Sequence, residues 1–218
     1  MSDLSYIDIK NLCITYGRKF PQEVFNAHYT KRNQLNLIRE LIDAHSKDFY
    51  KDLQTTRHLD IAAIYIESSA ILAYSQADLF AEMINRIILN NILPSNEVDL
   101  VKVKKELKKN LPKELEIINS VKKVLDSENY QYLRELVNMI KHRGCAITTF
   151  KITNTENYGY GIKDFKVSKE VSRKGLFWRD LFEMYDMLFE GLKQIINAII
   201  NSNAFNSSQN NRMIIVND

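Results

Sequence analysis

The stretch GLFWRDLFEMYDMLFEGLKQIINAIINSN, residues 175–203, decides the fold class. Within it Trp178, Phe182, Tyr185, Phe189, Leu192, Ile196 and Ile199 follow one another at steps of four and three, the spacing of a packed α-helix. Leu181, Leu188 and Ile195 widen the same stripe. A stripe this broad needs two neighbouring helices to cover it, or one neighbour and a second subunit, so a homodimer is expected. Glu190, Lys193 and Gln194 interrupt its apolar run. Nowhere does the chain hold the roughly eighteen to twenty consecutive apolar residues that a bilayer-crossing helix needs, so no membrane partner is expected.

Working outward, six Gly and three Pro in 218 residues leave few helix breakers, and 45 % hydrophobic with 26 % charged residues is the composition of a chain that buries a core. The expected fold class is mainly all-α, an up-and-down bundle of roughly four to five long helices in one domain over residues 1–203. Leu35, Ile38, Leu41, Ile42 and Phe49 place a helix between Pro21 and about Tyr50. A longer one is read from Thr56 to Ile92, stopped by Pro94. Shorter helices follow at 114–125 and at 128–142, the last capped by Gly144. The weak alternation of Ile7, Ile9, Leu12 and Ile14 leaves residues 1–20 undecided. Between residues 145 and 167 the texture becomes β-branched and aromatic (Ile147, Phe150, Ile152, Tyr158, Tyr160, Ile162, Phe165), with Asn154 to Asn157 as turn candidates, which predicts a β-hairpin or extended insertion before the last helix. Residues 204–218 read as a frayed tail in which RMIIVN can add a short strand.

Cys13 and Cys145 form no C-x-x-C pair and the first ten residues lack a signal-peptide pattern, so a reducing cytoplasm is the expected location. The formal charge of +3 permits a polyanionic partner without requiring one. His28, His45 and His58 have no second ligand at helical spacing, so neither a metal nor another cofactor is expected. The lysines of VKVKKELKKN, residues 101–110, read as a solvated helix face or as a phosphate-contacting patch. GYG at 159–161 reads as a hairpin kink. Tyr65, Ser68 and Ser69 read as groups bonded locally to backbone or lining a pocket. Phe150, Tyr158, Tyr160 and Phe165, with Lys151, Lys163 and Lys166 among them, read as a packed hairpin or as a clamp for single-stranded nucleic acid.

The chemistry concentrates on the helix ending at Gly144. Tyr132, Leu133, Leu136, Val137 and Ile140 share one arc, whereas Arg134, Asn138, Lys141 and His142 share the opposite one. Arg134, Asn138 and His142 step by four, which stacks their side chains along one edge.

With a helical bundle before it and an apolar helix after it, the sequence NMIKHRG around His142 resembles the HEPN superfamily, higher eukaryote and prokaryote nucleotide-binding domains. The resemblance implies a compact helical bundle, commonly dimeric, of the kind found in metal-independent ribonucleases of toxin-antitoxin and other defence systems. It also implies RNA or a nucleotide as ligand and an antitoxin protein as partner. That signature is an Arg followed by a polar residue, a spacer and a His. Asn138 matches the polar residue and His142 the His, Val137 stands where the Arg is expected, and the nearest guanidinium groups are Arg134 and Arg143. The resemblance implies that His142 is the acid or base, that Asn138 orients it or the phosphate, and that Arg143 or Arg134 stabilises developing charge, with Arg134 and Lys141 on the RNA backbone. The alternative expectation is a helical protein-interaction module without enzymatic activity.

Overall fold

The computed structural model describes residues 4–51, 57–143, 148–152, 158–168 and 170–202. Its helices are α1 (Leu4–Thr15), α2 (Gln22–Lys51), α3 (Arg57–Ile87), α4 (Leu100–Asn110), α5 (Leu115–Asp126), α6 (Glu128–Arg143) and α7 (Trp178–Ile200). Strands β1 (Thr148–Ile152) and β2 (Tyr158–Ile162) pair antiparallel, as do the two-residue strands β3 (Phe165–Lys166) and β4 (Ser172–Arg173). The protein is therefore mainly all-α with a small hairpin before the last helix, as the sequence predicts. The expected Gly144 cap, Cys145, the turn at 154–157, the tail at 204–218 and the side chains of Arg143 and Lys151 lie outside the described residues. Two compact units divide the chain: Met1–Tyr29, Gln76–Ser127 and Phe189–Asp218 form one, Thr30–Ser75 and Glu128–Leu188 the other.

In the first unit the undecided N-terminal segment is a helix. Ile9 and Cys13, four residues apart, are fully buried, whereas Ile7 and Ile14 are exposed. Burial raises the Cys13 thiol to about 11 against the opposing charge of Arg18, which makes it a core group rather than a nucleophile. Gly17 ends α1 in the left-handed region (φ 62°), where it lets the Arg18 amide return to the Cys13 carbonyl at 2.7 Å. Tyr6, Phe20 and Phe25 then pack edge-on and stacked at centroid distances of 5.0, 5.3 and 4.7 Å. Helix α3 stops at Ile87, five residues before the expected Ile92 and well ahead of Pro94. The stop is conformational: Asn90 and Asn91 both adopt left-handed backbone (φ 57° and 61°), and the Leu89 amide turns back to the Ile84 carbonyl. On α4, capped by Asp99 through the Lys102 amide at 2.7 Å, Leu100, Val103 and Leu107 face inward and leave the lysine run on the solvated side. Gly191 of α7 admits α5, because a Cβ there would lie 3.1 Å from Val124 Cγ2.

In the second unit Phe150 opposes Tyr160 across the hairpin, and Tyr160 and Phe165 are buried, so this is a packed hairpin. Gly159 (φ 151°) is the expected kink, and a Cβ on it would strike Trp178 Nε1 at 2.8 Å. The β3–β4 ribbon has no counterpart in the sequence reading. Arg173 secures it by donating to Glu135 of α6 at 2.5 Å, and Tyr132 donates to the Lys174 carbonyl at 2.9 Å. Ser69, fully buried, donates to the Ile66 carbonyl at 2.8 Å and lies 3.1 Å from the Tyr185 hydroxyl, so it bonds locally as one of its two readings holds. The α7 stripe from Trp178 to Ile199 is buried within the single chain, which leaves that stripe nothing for a second subunit to cover.

Candidate functional site

Helix α6 is built as its sequence pattern requires. Tyr130, Tyr132, Leu133, Leu136, Val137 and Ile140 are buried, and Arg134, Asn138, Lys141 and His142 are exposed. Burying five or more large apolar side chains stabilises this face by several times the ~1.5–3 kcal/mol of one such residue, so the orientation of the opposite edge is fixed by the core. Arg134, Asn138 and His142 form a row at four-residue steps, and Lys141 flanks it. Among the described residues none of these four side chains enters a hydrogen bond or ion pair with another. Glu135, next to Arg134 in sequence, is held instead by Arg173, so its charge is already compensated. The result is an exposed strip carrying two cations, an amide and an imidazole.

Val137, at the position where the resemblance expects Arg, is only 1 % exposed. A guanidinium at this position would point into the core, so any positive charge for this edge comes from Arg134 or from Arg143. None of Arg134, Asn138, Lys141 and His142 lines the cavity of about 600 Å³ found in the first unit. An open edge suits contact with a phosphate backbone better than the exclusion of water from a reacting centre.

Sequence spacing does not reveal how the other histidines are placed. His45 of α2 and His58 of α3 face each other with Nε2 and Nδ1 3.2 Å apart. Tyr160 stacks on His45 at 5.6 Å, and Phe49 lies 5.3 Å from His58. Ser46 Oγ, Tyr160 OH and Trp178 Nε1, from the same unit, are buried without a hydrogen-bond partner among the described residues. Among those residues no group of three or more His, Cys, Asp or Glu side chains gathers to hold a metal ion. The aromatic rings of Tyr160 and Phe49 around the pair make it a packing element.

Burial, and then the facing charge of His58, hold His45 below its ordinary pKa. The folded chain therefore binds fewer protons than the unfolded one below about pH 6.5, so this contribution is complete above that pH and is lost as the pH falls through it. The thermal midpoint is expected to drop as the pH falls from about 7.5 to about 5.5, and to drop less in His58→Asn, which lacks the facing charge. Equal pH slopes for the two proteins would remove the His58 charge as a contributor and leave burial of His45 alone.

Among the described residues no helix is long and apolar enough to cross a membrane. No protein-family model, no curated protein and no solved structure matches this chain.

Proposed function

We propose that the chain is a HEPN-like helical domain that binds single-stranded RNA along the exposed edge of α6. The observation that carries this reading is the row of Arg134, Asn138 and His142 with Lys141, presented to solvent by a helix whose other face is locked in the core. Guanidinium and ammonium groups contact phosphate oxygens, and the amide and imidazole bond sugar or base edges.

The exposed imidazole of His142 beside Asn138 favours a second, catalytic reading on the same edge. In it His142 takes the proton of a ribose 2′-hydroxyl as that oxygen forms a bond to the adjacent phosphorus. The bond to the 5′-oxygen breaks, and that oxygen takes a proton from solvent water while His142 keeps the one it removed, giving a 2′,3′-cyclic phosphate and a 5′-hydroxyl. Burial of Val137 supports binding over catalysis as the primary reading, because the guanidinium that would stabilise the pentavalent centre is displaced by a helical turn or onto Arg143. The resemblance adds a homodimer and an antitoxin protein to the proposal, both read out by the mass of the particle in solution.

The test is anisotropy of a labelled single-stranded RNA titrated with the protein in EDTA at several salt concentrations, followed by electrophoresis of the same samples. Binding that weakens with salt is expected, with log K falling by about 0.7 for each phosphate contacted. Binding independent of salt, or none, would leave the interaction-module alternative. Cyclic-phosphate ends that vanish in His142→Ala would add the catalytic reading.

A further inference from the structure

His45 of α2 and His58 of α3 lie in one compact unit, and neither belongs to the α6 edge. Nε2 of the first and Nδ1 of the second are 3.2 Å apart, a separation that admits two states. Either one nitrogen carries a hydrogen and donates it to the other, or both present lone pairs to a third atom between them. The ring positions count against a good hydrogen bond. The centroids are 4.6 Å apart with the planes inclined at 40°, and that separation is less than the 3.2 Å gap plus two ring radii. The nitrogens therefore do not aim squarely at each other, and a hydrogen bond between them is bent and weak.

A metal ion fits the same gap. Two imidazole nitrogens each about 2.0–2.1 Å from a tetrahedral Zn²⁺ stand about 3.3 Å from one another, whereas adjacent nitrogens around a square-planar ion stand about 2.9 Å apart. The observed 3.2 Å lies nearer the tetrahedral value. Both rings are half-buried rather than sealed in the core, and the exposed carboxylate of Asp48, one turn along α2 from His45, acts on that ring through its charge. Tyr160 and Tyr65 pack on His45 at 5.6 and 6.3 Å, and Phe49 packs on His58 at 5.3 Å, so the two rings are held in place by their neighbours before any ion arrives. Two protein ligands leave the remaining positions to water, which makes a reversible chelate rather than the closed four-ligand site of a structural zinc.

We propose that His45 Nε2 and His58 Nδ1 chelate a zinc ion that clips α2 to α3. The ring that donates in the hydrogen-bonded state moves that hydrogen to its other nitrogen, so at about pH 7.5, above the ordinary imidazole pKa of about 6.5, zinc enters without net proton release from the rings. The site is independent of the RNA reading, whose measurements are made in EDTA. Calorimetric titration of the full chain with zinc chloride is expected to give one site with a Kd on the order of 100 µM or tighter. Zinc at about ten times that Kd is expected to raise the thermal midpoint by about 2 °C or more, because the ion binds the folded pair. His45→Asn and His58→Asn are each expected to weaken binding at least about tenfold and to abolish the rise, and His142→Ala to change neither. In the parent protein, long-range ¹H–¹⁵N spectra are expected to show zinc shifting two of the four histidines, one through Nε2 and one through Nδ1. No binding up to on the order of 1 mM zinc, an affinity unchanged in both asparagine variants, or shifted signals from His28 or His142 in place of the pair would each overturn the proposal.

Discussion

Gly175→Ala is expected to destabilise the second unit by about 3 kcal/mol or more, among the larger effects of a single methyl group. A Cβ on Gly175 would lie 2.0 Å from the Ile162 carbonyl oxygen and 2.5 Å from the Lys163 carbonyl carbon. Neither neighbour is a flexible side chain that can swing away. The Ile162 amide donates to the Leu176 carbonyl at 2.9 Å, and the Gly175 amide donates to Asp164 at 2.9 Å, so the two backbones are bonded at the point of collision. Relief requires separating the hairpin from the segment that leads into α7. Gly17→Ala provides the contrast: nothing lies within 4 Å of its Cβ, so only its left-handed backbone (φ 62°) opposes the change, at about 1 kcal/mol. Urea midpoints of the two variants separate these effects, and a Gly175→Ala midpoint within about 0.5 kcal/mol of the parent would contradict the described junction.

The second large effect concerns RNA. Arg134→Gln combined with Lys141→Gln is expected to weaken binding of single-stranded RNA about tenfold to thirtyfold near physiological salt and to lower the salt slope by about 1.4, the loss of two phosphate contacts. Both residues are exposed on α6, and neither makes a hydrogen bond or ion pair among the described residues, so folding stability should change by less than about 0.5 kcal/mol. The same double substitution on α4, Lys105→Gln with Lys108→Gln, should leave the slope unchanged. Equal losses in the two double variants would mean diffuse attraction to a basic protein rather than a site.

Periodic elements were legible in the sequence because each buries one continuous stripe. The four-three seam of α7 and the apolar arc of α6 both coincide with buried residues, and the exposed edge of α6 follows from the same wheel. Helix α1 was hidden because its apparent alternation mixes inward and outward groups. Its buried pair is Ile9 and Cys13, while Ile7 and Ile14, which carry the alternation, face solvent. The end of α3 falls short of the sequence expectation because Pro94 is a visible stop signal, whereas the asparagines that end the helix do so through backbone conformation, stabilised by Asn85 and Leu93 across the turn. The β3–β4 ribbon is two residues long and leans on the Arg173–Glu135 pair, a contact between residues 38 apart that no local pattern encodes.

The same limit applies to chemistry. Four-residue spacing alone assembles Arg134, Asn138 and His142, because one helix carries all three. His45 and His58 stand 13 residues apart on different helices, and the cavity draws its cations from segments near residue 18 and near residue 86. Tertiary packing alone brings such groups together. The homodimer expected from the α7 stripe loses that support, because the chain covers the stripe itself.

The α6 edge as RNA-contacting surface is tested most directly by crosslinking. Single-stranded RNA containing 4-thiouridine is irradiated with the protein in EDTA, and crosslinked peptides are mapped by mass spectrometry. Crosslinks are predicted within the α6 segment, residues 128–143, and should fade in Arg134→Gln with Lys141→Gln. Crosslinks confined to the lysine-bearing α4 segment, residues 100–110, or unchanged by the α6 substitutions, would contradict the account.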